Sequence, residues 1–267
     1  MLNDGIVAAC ARKNDAHFAA MRMQKGRTMM KNKYLTFSYD DGVTQDKRLV
    51  KLFNKYHMKC TFNLNSELLG KPGYLRREDM WIGHNKVEPR EVVELYKGHE
   101  IASHTLTHPH LPELWDEEVI RQVEEDRKNL QKLVGYDIVG LAYPGGSPTH
   151  NDHVVDLIRK NTGIRYARTT KSNFSFDVQQ DLLRFEPTVN NQKEPEQMME
   201  LGEKFIKLET TDKPQIFYIW GHSYEFDYYD TWSQFEEFLK MMSDREDIIY
   251  ATNREALLER PDQLVKF

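Results

Sequence analysis

From residue 33 onward, short β-rich apolar runs recur at 34–38, 60–64, 100–103, 138–143, 164–167, 183–188, 215–220 and 247–250. Helical periodicities fill most of the gaps between them. Residues 47–56 place Leu49, Leu52, Phe53 and Tyr56 on one face, with Asp46 positioned to cap the helix. Pro89 fits the first turn of a helix that ends at Gly98. Asp116 opens a long charged helix that stops near Gly135, and Thr231 with Gln234 and Thr252 with Glu255 have capping-box spacing. Alternating strands and helices favour parallel pairing and an α/β architecture. About eight such units in about 235 residues suit a barrel, regular or distorted, better than an open doubly wound sheet. Neither a Pro-, Gly- or Ser-rich linker nor an internal repeat interrupts residues 33–267, so one domain is expected.

Residues 1–32 break the pattern. Their periodicity is weak, and Met21, Met23, Met29 and Met30 crowd the approach to the first strand. The segment reads as a leader, either poorly ordered or translated ahead of a start at Met29 or Met30; a short amphipathic helix packed on the domain is the alternative. Bulk composition narrows the function. With 267 residues, 39% of them hydrophobic, the chain can bury one substantial core. A net charge of -5 without a Lys/Arg cluster argues against nucleic acid as a partner. Cys10 and Cys60 cannot make a disulfide framework, and Cys60 sits in an apolar run that reads as a buried thiol. No stretch has transmembrane length, and the first 30 residues lack an apolar h-region, so no membrane partner and a cytoplasmic, reducing location are the expectation.

The chemistry gathers at the strand ends. YLTFSYDDG runs straight into Asp40 and Asp41; EIASHTLTHPH brings His104 and His108; LAYPGG ends in Pro144, Gly145 and Gly146; Arg168 follows the fifth run and His222 the seventh. In a parallel barrel these lie on one face, where βα loops build sites. Adjacent carboxylates repel, and a solvated Asp-Asp-Gly turn is the bland explanation. His104 and His108, if the segment makes a helical turn, reach a shared ion, and one carboxylate completes a set of two histidines and one acid suited to zinc and its neighbours. The second acid can then take a proton from a water activated by that ion. An H-x-x-x-H pair alone is weak, but its conjunction with the acid pair and His222 is specific. His57, His84, His99, His150 and His153 lack such company and read as structural or solvated, while His110 could line the rim.

These motifs resemble the polysaccharide deacetylases with a NodB-homology domain, carbohydrate esterase family 4, over roughly residues 33–260. SYDDG stands for the family's Thr-Phe-Asp-Asp-Gly motif, HTLTH for His-Ser/Thr-x-x-His, AYPGG for Arg-x-Pro-x-Gly and WGH for Leu-x-His. The resemblance implies a single-domain distorted (β/α) barrel of the NodB-homology type, Asp40 as base, Asp41, His104 and His108 as metal ligands, and His222 as general acid. It also implies the Gly145 N–H as an oxyanion donor, Pro144 as a groove wall, and Tyr143 and Trp220 as substrate contacts. Ala142 replaces the third motif's arginine, and Arg168 is expected to approach Asp40 in its stead. The fourth motif has no clean match, with Asp177 and Asp181 as the acids on offer to orient His222. The implied activity is metal-dependent removal of acetyl groups from carbohydrates, on N-acetylglucosamine-type or acetylxylan-type substrates. Zinc is the default ion; cobalt, nickel, manganese or iron fit similar ligands.

Two other classes compete with this reading. A phosphatase using Asp-x-Asp-Gly would need an acid where Tyr39 stands. A non-catalytic carbohydrate-binding relic of the same fold would explain Ala142, but not the presence of both acid and base.

Overall fold

A computed structural model describes residues 32–260; the expected leader, apart from Asn32, lies outside the described residues. Strand β1 (Lys33–Asp40) is buried along its whole length. It pairs in parallel with β2 (Thr61–Leu64), β9 (Gln215–His222) and β10 (Ile248–Ala251). With β5 (Glu100–Ser103), β6 (Gly140–Ala142), β7 (Tyr166–Arg168) and β8 (Val189–Asn190) this makes an eight-stranded sheet in the order β7-β6-β5-β2-β1-β9-β8, with β10 beside β1. The sheet curls into a half-barrel of the α/β class. Burial on both faces explains why the strand sequences lack clean alternation. The polar positions on β1 are satisfied inside: Lys33 Nζ donates to the carbonyls of Ile206 and Leu208 and to Asp247, and Asn253 donates to Thr36 Oγ1.

Helices α1 (Asp46–Lys55), α2 (Val92–Leu95), α3 (Asp116–Val134), α4 (Asp152–Asn161), α5 (Pro195–Lys207), α6 (Glu225–Tyr229), α7 (Trp232–Met242) and α8 (Asn253–Leu257) accompany the strands. One core packs Phe37, Tyr39, Phe53, Phe226, Phe235 and Phe238 together, and a second sets Leu141 and Ala167 against Val119, Val123, Val155 and Ile158. Gly135 ends α3 in the left-handed region, and Thr252 with Glu255 forms the capping box that their spacing predicts. No helix among the described residues is long and apolar enough to cross a membrane.

Three local expectations fail for physical reasons. The run 183–188 is not a strand. It forms a 3-10 turn at Leu182–Arg184, a single bridge from Phe185 to Arg168, and only then β8. Asp46 does not cap α1; it is fully buried and accepts from Tyr96 Oη at 2.7 Å and Ser223 Oγ at 2.5 Å. Thr231 precedes α7 without capping it, because its hydroxyl donates to Gln192 Oε1 at 2.9 Å. Residues 71–86, which none of the apolar runs covers, carry an antiparallel hairpin, β3 (Tyr74–Arg77) and β4 (Met80–Gly83), off the main sheet. Its Ile82 and Leu75 pack on Val43 and Tyr224, so one face of the hairpin is fixed against the loop after β1.

Candidate active site

Because the sheet is parallel, the residues ending β1, β5, β6, β7 and β9 meet at one end. There a cleft of about 560 Å3 is lined by Asp40, Asp41, His104, His108, Gly145 and His222, among others. Asp40 closes β1 opposite Asn63 on one side and His222 on the other. The chain then turns sharply: Asp41 takes φ 81° and Gly42 φ 58°. At Gly42 a side chain is also excluded, since a Cβ would sit 2.6 Å from Leu64 Cδ2. Thr105 and His108 likewise take positive φ, 67° and 62°. For a β-branched threonine this is a strained conformation that the surroundings must enforce. They do so through Asn65, whose Nδ2 donates to the carbonyls of His104 and Thr105, and through Ser103 Oγ, which accepts from Thr105 N–H. The H-x-x-x-H pair is therefore brought together by an irregular turn and not by a helix, with ring centroids 4.8 Å apart.

The two neighbouring acids are held apart electrically. Asp40 receives Arg168 Nη2 on both oxygens, at 2.6 and 2.5 Å, and Asn63 Nδ2 on Oδ1 at 2.8 Å. Burial pushes its pKa up, but the Arg168 guanidinium, together with His104 and His222, leaves Asp40 below the usual carboxylate range. Arg168 is fully buried and does not line the cleft, so it acts on Asp40 and not on anything bound in the cleft. Its strand position is informative: Arg168 on β7 pairs with Ala142 on β6, so the cation comes from the strand beside the one where the motif carries it. Asp41 has different partners. Lys86 Nζ donates to its carbonyl at 2.7 Å and to Oδ1 at 3.2 Å, and His84 Nε2 lies 3.2 Å from Oδ2. Burial opposes ionisation there too, yet His84 and Lys86 hold Asp41 well below the usual range.

The donor atoms of Asp41, His104 and His108 lie within 4.8 Å of one another. His104 Nδ1 is 2.8 Å from the Ala142 carbonyl, an acceptor, so the proton belongs on Nδ1 and the Nε2 lone pair is free. That Nε2 is buried without a partner, and burial lowers the His104 pKa to about 4, which keeps the ring neutral near pH 7. A neutral imidazole with an orphaned lone pair beside an ionised carboxylate fits a divalent cation. His222 differs in every respect. Its Nδ1 lies 3.1 Å from Glu225 Oε2, and its Nε2 lies 3.9 Å from Asp40 Oδ2. Burial pushes its pKa down, but the Glu225 carboxylate, with Asp40 and Asp41, carries it to about 9.

Of the remaining expected residues, Gly145 lines the cleft at φ 85°, and its N–H has no hydrogen-bond partner among the described residues. Tyr143 reaches the cleft wall, but its hydroxyl donates to the Leu183 carbonyl at 2.9 Å. Trp220 lines the cleft with its ring 4.3 Å from the Arg168 guanidinium. Pro144 does not line it; the residue is buried. Asp177 and Asp181 are elsewhere, engaged with Ser175 and with Leu183 and Arg184. Sequence reasoning missed Glu225, Lys86 and His84, the last of which it set aside as structural or solvated. Glu225 stands three residues beyond His222, a separation that the tight turn after β9 closes. Lys86 and His84 gave no local signal, because only the return of the chain after the hairpin (Val43 bridges Lys86) brings them to Asp41.

A family model described as polysaccharide deacetylase matches residues 27–167. No curated protein matches the sequence. Among solved structures, a Mycobacterium smegmatis protein assigned to the polysaccharide deacetylases is 14% identical, with 88% of this chain and 92% of that chain covered and a TM-score of 0.63. The Xyl-CE4 domain of a multidomain xylanase from the hindgut metagenome of Trinervitermes trinervoides is 16% identical, with 84% and 89% covered and a TM-score of 0.52. A Streptococcus pyogenes deacetylase in complex with acetate is 20% identical over 51% of this chain, with a TM-score of 0.42; the chain spans 55% of its length.

Two outcomes follow from this geometry. In metal-free protein the His222 ring resonances should titrate near 9 by NMR, and Glu225→Gln should bring that midpoint down, since it removes the charge that raises it. Arg168→Ala should leave a buried, unpaired carboxylate at Asp40, costing about 3–5 kcal/mol in urea unfolding; a loss within error of zero would mean that Asp40 is not held as an anion by Arg168.

Proposed function

Because the chain belongs to the polysaccharide deacetylase family, we propose that it is a divalent-metal-dependent hydrolase that removes acetyl groups from carbohydrates. The observation that carries this reading is the position of Asp40 Oδ2, 3.8 Å from His104 Nε2 and 3.9 Å from His222 Nε2, at the bottom of an open cleft. A base, a ligand set and an acid then share one small volume. The catalytic domain is residues 33–267.

Asp41, His104 and His108 would hold the cation, with zinc favoured by the two imidazoles and one carboxylate. Such an ion supplies positive charge for the acyl oxygen and an easily deprotonated nucleophile. Asp40, ionised through Arg168, accepts the proton of the attacking water at Oδ2. The Gly145 N–H, free of other partners, points to a place for the oxyanion that forms on the acetyl carbonyl, a contact worth roughly 2.7–4 kcal/mol where a single donor has been removed elsewhere. His222, kept protonated by Glu225, delivers its Nε2 proton to the leaving amine or alcohol. Ala142 was the feature that favoured a non-catalytic relic; Arg168 on the next strand supports the catalytic reading instead.

Acetate release from N-acetylglucosamine oligomers or acetylated xylo-oligosaccharides tests the proposal. It should disappear on chelation, return with zinc, and be lost in Asp40→Asn protein that still binds metal. Release that survives chelation would overturn the metal-dependent reading. His222→Ala should depress turnover of amides far more than of activated esters, because an amine cannot leave without its proton. Equal losses on both would remove His222 from the role of leaving-group acid.

A further inference from the structure

Asp46 is a buried acid that the proposed chemistry does not use. It lies fully buried in the first turn of α1, and among the described residues no cation forms an ion pair with it. Lys86, whose charge acts on it, directs its ammonium to Asp41 instead. The two carboxylate oxygens are divided between two hydroxyls: Tyr96 Oη donates to Oδ2 at 2.7 Å and Ser223 Oγ to Oδ1 at 2.5 Å. Burial pushes the Asp46 pKa up to about 7, although both hydroxyls and Lys86 oppose that. Packing does not explain an acid here, since an apolar side chain would fill the space without the desolvation cost. What a carboxylate offers is an acceptor to each hydroxyl; an asparagine would turn its NH2 toward one of them.

The contact joins two halves of the site. On one side, the Asp46 N–H donates at 2.9 Å to the carbonyl of Val43, two residues past Asp41 in the turn that follows β1. On the other, Ser223 directly follows His222, where β9 ends opposite Asp40 and the chain leaves the sheet. Ser223 is wholly buried, and its carbonyl accepts from the Phe226 N–H across the turn that brings Glu225 back to His222. Glu225 Oε2 accepts from the His222 backbone N–H at 3.3 Å and lies 3.1 Å from Nδ1. Ser223 is thus anchored to Asp46 while His222 and Glu225 stand on either side of it in the chain. Resting on the reading of His222 as the leaving-group acid, we propose that Asp46 is a positioning residue: through Ser223 it fixes the turn that holds the His222 imidazole between Glu225 and Asp40. The same contact ties that turn to the one bearing Asp40 and Asp41, so the acid and the base keep a set separation.

The test reads His222 directly. In metal-free protein the midpoint of its ring resonances, near 9 in the unmodified chain, is followed by NMR in Ser223→Ala and in Asp46→Asn. Ser223→Ala removes no charge, so a fall of the midpoint toward the ordinary histidine value reports a ring that has moved away from Glu225. Asp46→Asn keeps the shape of the side chain and relieves a buried charge, which makes it the second variant should the first not fold; its midpoint should fall as well. In the zinc-loaded protein, kcat on N-acetylglucosamine oligomers should drop on the order of tenfold to a hundredfold with KM little changed. Turnover of an activated aryl acetate, whose leaving group departs without a proton, should hold. A midpoint that does not move would overturn the proposal. So would equal losses on amide and ester, the mark of a site loosened as a whole. If the unmodified protein releases acetate from neither substrate, the deacetylase reading fails and the midpoint alone decides: a fall sustains Asp46 as the residue that positions His222, and no change overturns it.

Discussion

The buried contact between Arg168 and Asp40 is the constraint on which the site depends. Both side chains are almost wholly inaccessible, and an anion at that depth without a partner would give up its charge. Arg168 can fill the role only because β6 and β7 run in register, Ala142 opposite Arg168, and because Ala142 is small. An arginine on β6 itself and an arginine one strand further on are two routes to the same electrostatic end. The second route also changes what lies behind the cleft: the guanidinium donates to the Thr169 carbonyl and lies against the ring of Trp220, so a buried ion pair backs the indole that lines the cleft.

With Asp40 committed to Arg168, the neighbouring acid needs a separate source of charge, and the chain takes it from a different part of the sequence. Lys86 and His84 arrive from the segment after the hairpin and fix Asp41 through its carbonyl and both carboxylate oxygens. Two adjacent acids can ionise together because each has its own cation, on opposite sides of the β1 terminus. The positive φ of Asp41 is part of this arrangement, since it turns consecutive side chains into one cleft where an extended strand would send them to opposite faces.

The legible part of the structure was the part written in local pattern. Strand runs and the strand-end polar residues Asp40, Asp41, His104, His108 and His222 identified a parallel α/β sheet and the end of it that matters. The approach of Arg168 to Asp40 was anticipated from the gap at Ala142. Pairing at a distance was not legible in the same way. Apolar periodicity cannot tell a strand from the broken path of 183–188, where Leu183, Phe185 and Val189 are all buried while the backbone bonds with β7 and then with β9. Nor does a capping-box spacing reveal whether a threonine will find a better acceptor, as Thr231 does at Gln192. Lys86 and His84 reach Asp41 across more than forty residues, so their role exists only after the hairpin has packed.

The same cleft holds two imidazoles driven in opposite directions. Burial drives His104 down to about 4, and its Nδ1 proton is fixed on a backbone carbonyl. His222 is carried up to about 9 by Glu225 despite its burial. At neutral pH one ring is a lone-pair donor and the other a proton donor, with Asp40 Oδ2 between them. Environments that push like groups apart in this way are how a site assigns distinct acid and base roles to the same side-chain type. Burial is the largest influence on both rings; at His104, with a neutral carbonyl behind it, burial prevails, whereas at His222 the Glu225 carboxylate, with Asp40 and Asp41, overcomes it.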